Sequence, residues 1–151
     1  MIHRTQTLIG WNELVDLPEW SIRRLRGKVD TGARSSALHV ANLTPLPNGR
    51  VAFDVVLDRR RAHRRRHVVA PVSRIGRVRS STGRYTRRYF VKTTLVLGGV
   101  EKTIEISLVD REQMLFRMLL GRTALAHDFL IDPARRHVTA KPKKTRRRET
   151  K

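Results

Sequence analysis

The 151-residue sequence contains no cysteine. That excludes a disulfide scaffold, a thiol nucleophile and any Cys-ligated zinc or iron–sulfur site. Aromatic residues make up only 5% of the chain, too few for an obvious base-stacking platform. Acidic residues are scarce, 13 against 33 Lys plus Arg, for a formal net charge of +20. Long apolar runs are missing too. The longest, around 94–100 and 129–131, fall far short of the roughly 20 residues that span a bilayer. The first eight residues lack the apolar core and small-residue cleavage site of a signal peptide, so a cytoplasmic protein without membrane association is expected. There is no His-Glu-x-x-His pattern and no Gly-rich Lys-Ser/Thr loop, so neither metal nor cofactor is expected.

The charge is concentrated in two places. Residues 141–151 carry seven basic side chains against one acid and almost no apolar residue, which predicts a disordered basic tail after a domain over 1–140. Residues 59–67 hold six arginines together with His63 and His67. Such charge favours non-specific attraction to anions, nucleic acid included, and says nothing about fold. His63 and His67 would suit zinc only on a helix, and the surrounding arginines disfavour a dication. His39 reads as a partly buried structural histidine.

The dominant hydrophobic period is two. Strands are expected over 8–17, 25–29, 51–57, 68–72, 89–97 and 102–109, with Asn48-Gly49 and Gly98-Gly99 as turns. Residues 77–91 read as a hairpin with a polar tip at 80–83. One short helix of about two turns is expected over 122–128. The whole is mainly β, six to nine short strands in a closed barrel or sandwich.

Two segments carry chemistry. In Lys28-Val29-Asp30-Thr31-Gly32-Ala33-Arg34-Ser35-Ser36 an apolar strand runs into Asp-Thr-Gly-Ala. There an Asp carboxylate can project into a cleft and hold water, a Thr hydroxyl can brace a neighbouring loop, and Gly allows two loops to approach closely. About 90 residues later comes Met118-Leu119-Leu120-Gly121-Arg122-Thr123. This pair, with a hairpin between its members, resembles the retroviral-type aspartic proteases. There, two or three apolar residues, Gly-Arg-Asn and a short helix follow Asp-Thr-Gly-Ala at the same distance.

With Ile9-Gly10-Trp11, Leu17-Pro18-Glu19, Val78-Arg79-Ser80-Ser81-Thr82-Gly83 and Leu108-Val109-Asp110-Arg111-Glu112 added, residues 8–139 resemble one bacterial family. It goes under the names ATP-dependent zinc protease and retropepsin-like aspartic endopeptidase. Its members often accompany ATP-grasp (RimK-type) glutamate ligases, which add glutamate tails to a ribosomal protein. The resemblance implies a retropepsin-like closed β-barrel with one short C-terminal helix. It implies catalysis by Asp30, Thr31 and Gly32, and substrate contacts from Ala33, Arg34, Ser81, Thr82, Gly83 and Arg122. The residues present support neither the zinc nor the ATP of the family name.

Two departures from the retroviral pattern bear on substrate. The acid after Asp-Thr-Gly-Ala is Arg34 here, and the Asn of Gly-Arg-Asn is Thr123. Arg122 thereby loses an acidic partner, and an acidic peptide suits Arg34, Arg79 and Arg84 better than a neutral one. Aspartic peptidases need two carboxylates sharing a proton. One Asp-Thr-Gly per chain therefore implies a homodimer, with Asp30 of each chain at a two-fold axis. The alternative is a non-catalytic relative that binds acidic peptides or nucleic acid. Trp11 and Trp20 are expected in packing, Ser35 and Ser36 in backbone bonding, and Asp132 in a turn.

Overall fold

The alternating segments do form strands in the computed structural model, which describes residues 5–58, 60–61, 63–79, 83–110 and 116–139. In chain order these are β1 (Thr7–Gly10), β2 (Asn12–Leu17), β3 (Ile22–Val29), β4 (Ser36–Leu46), β5 (Arg50–Val56) and β6 (Arg65–Pro71). They continue with β7 (Arg74–Arg79), β8 (Tyr85–Leu97), β9 (Val100–Val109), β10 (Met118–Leu120), the single-turn helix α1 (Arg122–Leu125) and β11 (Phe129–Asp132).

Hydrogen-bonded neighbours run β10–β3–β2–β8–β9–β4, and β10 pairs again with β4, so six strands close into a barrel. Closure removes the exposed edges that an open sheet would present. The expected mainly β, retropepsin-like barrel with a short helix is the fold observed. Its core is filled by inward side chains such as Leu25, Leu38, Val91, Leu95, Ile106 and Met118, all nearly inaccessible. β5 and β6 continue the sheet from the far half of β4, and Phe53 of β5 meets the edge of Trp20 at a centroid distance of 5.5 Å. β7 pairs only with the first half of β8, making a hairpin that projects from the barrel.

There are eleven strands among the described residues, more than the expected six to nine. The segment read as one strand over 8–17 is two. Gly10 lies against Arg135, where a Cβ would sit 2.2 Å from the carbonyl oxygen, and the Trp11 amide donates to that same oxygen. β4 went unread because Asn42 (φ 54°) bulges out of the ladder and Pro45 breaks the β-forming run. The helix is one turn, not two. Ala126 leaves the helical region and His127 is left-handed (φ 74°). Asp128 is drawn back to Lys102 at 2.7 Å.

The terminal strands β1 and β11 pair in parallel. The chain beyond them is tied down by Glu13, a fully buried carboxylate. It accepts from the amides of Gly10 (2.8 Å), Val138 (2.9 Å) and Thr139 (3.1 Å) and from the Thr139 hydroxyl (2.8 Å). Burial pushes the Glu13 carboxyl up, but these bonds together outweigh it and hold the group below the usual carboxylate range. The tail over 141–151 lies outside the described residues. Among the described residues, no helix is long and apolar enough to cross a membrane.

Candidate active site

β3 ends at Val29 and the chain turns through Asp30-Thr31-Gly32-Ala33. The turn is main-chain work. The Asp30 amide donates to the Leu120 carbonyl (2.9 Å) and the Ala33 amide to the Asp30 carbonyl (3.2 Å). The Asp30 carboxylate itself accepts the Gly32 amide (3.1 Å) and is partly exposed. A Cβ at position 32 would sit 3.3 Å from that carboxylate oxygen, close enough to press on the Asp30 side chain. Thr31 and Gly32 are exposed at the surface of the chain.

The second motif clamps this turn from below. β10 lies between β3 (parallel) and β4 (antiparallel), so Leu119 and Leu120 register with Lys28 and Val29. At Gly121 a Cβ would lie 2.5 Å from the Ser35 carbonyl group, so only glycine fits. The Gly121 amide donates to the buried Ser36 hydroxyl (3.1 Å), and Ser107 donates to the Ser36 carbonyl (3.2 Å). The Arg122 amide donates to the Ala33 carbonyl (2.8 Å), and both the amide and hydroxyl of Thr123 donate to Arg34 (3.1 and 3.0 Å). The two segments, about 90 residues apart in sequence, are one structure.

Above the turn opens a cleft of about 1180 Å³, with the β7–β8 hairpin as its opposite wall. Asp30, Gly32, Ala33 and Arg34 line one side, and Arg77, Val78 and Arg79 of β7 line the other. Five arginines (34, 74, 77, 79 and 88) face the cleft against the two acids Asp30 and Glu105. Glu105 is bonded to Arg74 (2.7 Å) and Ser73 (2.8 Å). Burial raises its pKa and the Arg74 and Ser73 bonds lower it, for a net lowering. Arg74 also lies flat on Phe90, 3.6 Å from the ring centroid. A Cβ at Gly76 would strike both partners, at 2.6 and 2.8 Å.

The sequence-expected residues therefore divide. Asp30, Gly32, Ala33 and Arg34 meet at the cleft, with Thr31 beside them. Arg122 reaches the turn from behind, its Nη1 donating to the Thr31 carbonyl (2.9 Å). Gly83, left-handed at φ 83°, sits at the hairpin tip near Arg79. Ser81 and Thr82 lie outside the described residues. Arg74, Arg77, Arg88 and Glu105 were not expected in the cleft. No single period marks them: Arg74 and Arg77 differ in parity along β7, Arg88 lies on β8 and Glu105 on β9, and only the pairing of these three strands brings them together. Ser36 bonds the backbone as expected, and Asp132 accepts the Ala134 amide (2.9 Å) in a turn. His39 is buried. His67 pairs with Asp54 at 2.8 Å on β6 while His63 lies in the preceding loop, so no helix aligns them. No cluster of three or more metal-ligating side chains occurs among the described residues.

A closed six-stranded barrel with an Asp-Thr-Gly turn clamped by an apolar-Gly-Arg strand and faced by a hairpin defines the retropepsin-like class. Residues 8–142 match the family described as retropepsin-like aspartic endopeptidase RimB, and the chain belongs to this RimB-like family. Two proteins named "Probable alpha-L-glutamate ligase" are similar to it. The one from Parasynechococcus marenigrum is 34% identical over 86% of this chain, and the one from Desulfotalea psychrophila 35% identical over 84%. In each case the match covers 28% of the relative's length, so the chain spans little more than a quarter of these proteins. A crystal structure of a Legionella pneumophila protein with unknown function (DUF785) superposes with a TM-score of 0.73. It is 26% identical and covers 90% of this chain and 100% of that one.

Proposed function

We infer that this chain is an aspartic endopeptidase that works as a homodimer on acidic peptide segments. The observation that carries this reading is the partly exposed Asp30 carboxylate, held by main-chain bonds at the mouth of an arginine-lined cleft. One chain supplies one such carboxylate. In the dimer, Asp30 of each copy shares a proton across the two-fold axis. One carboxylate takes a proton from water as it attacks the scissile carbonyl, and the other donates to the carbonyl oxygen. Thr31 braces the opposite turn, Arg122 positions Thr31, and the β7–β8 hairpin closes as a flap that excludes water. With Arg74 engaged by Glu105, the arginines at 34, 77 and 79 favour carboxylates on the substrate. The names of the similar proteins fit this, since an alpha-L-glutamate ligase makes glutamate-containing chains that such a cleft would accept.

The test is direct. The purified chain is incubated with a peptide ending in several α-linked glutamates and with its glutamine counterpart, and products are read by mass spectrometry. Cleavage of the acidic peptide, lost in Asp30→Asn, is expected. No cleavage of either peptide across pH 4–8, with intact protein and verified dimer, would favour the non-catalytic reading in which the cleft only binds.

A further inference from the structure

A second concentration of positive charge lies away from the cleft. The bulge in β3 opposite Asp16 turns two consecutive arginines outward: Arg23 and Arg24 are both exposed, and Arg24 is left-handed (φ 55°) with its amide on the Asp16 carboxylate (2.9 Å). The β5–β6 hairpin brings a second set to the same place. Its loop is closed by the Leu57 amide on Arg64 (2.9 Å) and the Arg64 amide on Arg61 (2.8 Å), leaving Arg60, Arg61 and Arg64 exposed. Arg66, also exposed, donates from Nη2 to the Ser21 carbonyl (3.4 Å), which docks the hairpin beside the β3 bulge. None of these side chains lines the cleft above Asp30.

We propose that this band, Arg23–Arg24 with Arg60, Arg61, Arg64 and Arg66, binds the phosphate backbone of a nucleic-acid duplex. Three features select that partner. The positive charge is all guanidinium, whose planar fork matches phosphate oxygens two at a time, and its six groups outnumber the carboxylates of Asp16 and Asp58 beside them. The band lies on a hairpin loop and a strand bulge, outside the concave site that would suit a flexible acidic peptide, whereas a duplex presents one charge about every 1.7 Å of axis to such a surface. A membrane surface would call for large apolar side chains among the arginines. Among the described residues the exposed ones are Leu8, Val69, Ile75, Tyr85 and Leu130, and of these Val69 alone is on the same hairpin. The band is directed at the phosphates, which carry no sequence information. The proposal is independent of the peptidase reading: a catalytically dead chain would still bind.

The experiment measures fluorescence anisotropy of an RNA duplex and a DNA duplex of about 20 base pairs between roughly 50 and 200 mM salt. It uses the full chain with the seven basic residues of 141–151 changed to Gln, so that the tail does not contribute. The R60A/R61A/R64A/R66A variant should lose up to about 3.6 units from the slope of log K against log salt, roughly 0.9 for each phosphate contact removed from DNA. Arg→Lys at the same four positions should retain most of the slope, and R34A/R77A/R79A in the cleft should leave it unchanged. Equal losses on both duplexes assign the shared phosphate backbone; a loss confined to RNA assigns the A-form duplex as its source. Thermal melting confirms that each variant is folded, which these exposed sites predict. An unchanged slope in the hairpin variant would overturn the proposal, as would an equal loss in the cleft variant. So would a hairpin variant that loses binding to a poly-glutamate peptide or to phosphatidylserine vesicles while keeping the duplex.

Discussion

Asp30 owes its position to the main chain, and its side chain to one bond within its own turn. Asp30→Asn keeps an acceptor for the Gly32 amide but cannot act as general base. The peptidase reading therefore expects activity to fall by about 10³-fold or more, with the melting temperature within about 2 °C of wild type. Residual cleavage near the wild-type rate would remove Asp30 from the chemistry. Glu13 is the opposite kind of carboxylate, buried and carrying structure. Its folded pKa lies below the unfolded value, so its stabilisation is present above the ordinary glutamate range near 4.5 and is lost as pH falls through the folded pKa. Glu13→Gln should cost about 2–3 kcal/mol at pH 7, because an amide nitrogen replaces one acceptor facing these donors. The penalty should shrink as acid protonates the wild-type carboxyl. Urea unfolding at pH 7 and pH 4 checks both. The turn that carries Asp30 to the cleft was legible in three adjacent residues. The role of Glu13 was not, because its partners at 138–139 lie more than a hundred residues away and nothing local marks them.

At the scale of elements, the decisive event is the insertion of β10 between β3 and β4. Gly121→Ala would force a methyl into the Ser35 carbonyl and push the Asp30 turn away from its clamp. A loss of about 1–3 kcal/mol with a disproportionate fall in activity is expected, read by thermal melting beside peptide cleavage. The order of the two motifs and the hairpin between them were visible in sequence because each is short, local and bounded by glycine. β4 was hidden, since its bulge at Asn42 and its Pro45 interrupt the period that reveals strands. The hairpin was found, but its root was not. The stack of Arg74 on Phe90, the Glu105 bond and the space left by Gly76 join residues from three strands. R77E/R79E on this hairpin should raise KM for an acidic peptide at least about tenfold while changing kcat much less, since a like charge then faces the substrate. Unaltered KM would mean the hairpin does not read charge.

The whole molecule carries one Asp-Thr-Gly turn on a barrel whose turn surface is exposed, and a net charge of +20 shared between cleft, hairpin and tail. The closed barrel follows from period-two alternation and the resemblance together. The distribution of its charge does not, because only folding shows which arginines meet across strands. The central claim is that two chains make one active site, and subunit mixing tests it most directly. Wild-type protein is held at fixed concentration, equilibrated with increasing Asp30→Asn chain, and assayed for cleavage. Random pairing at a ninefold excess of mutant predicts activity per wild-type chain falling to about one tenth, because nearly every wild-type chain then sits in a heterodimer with one carboxylate. Activity that stays constant per wild-type chain at that excess, with subunit exchange verified, would contradict the shared-site account.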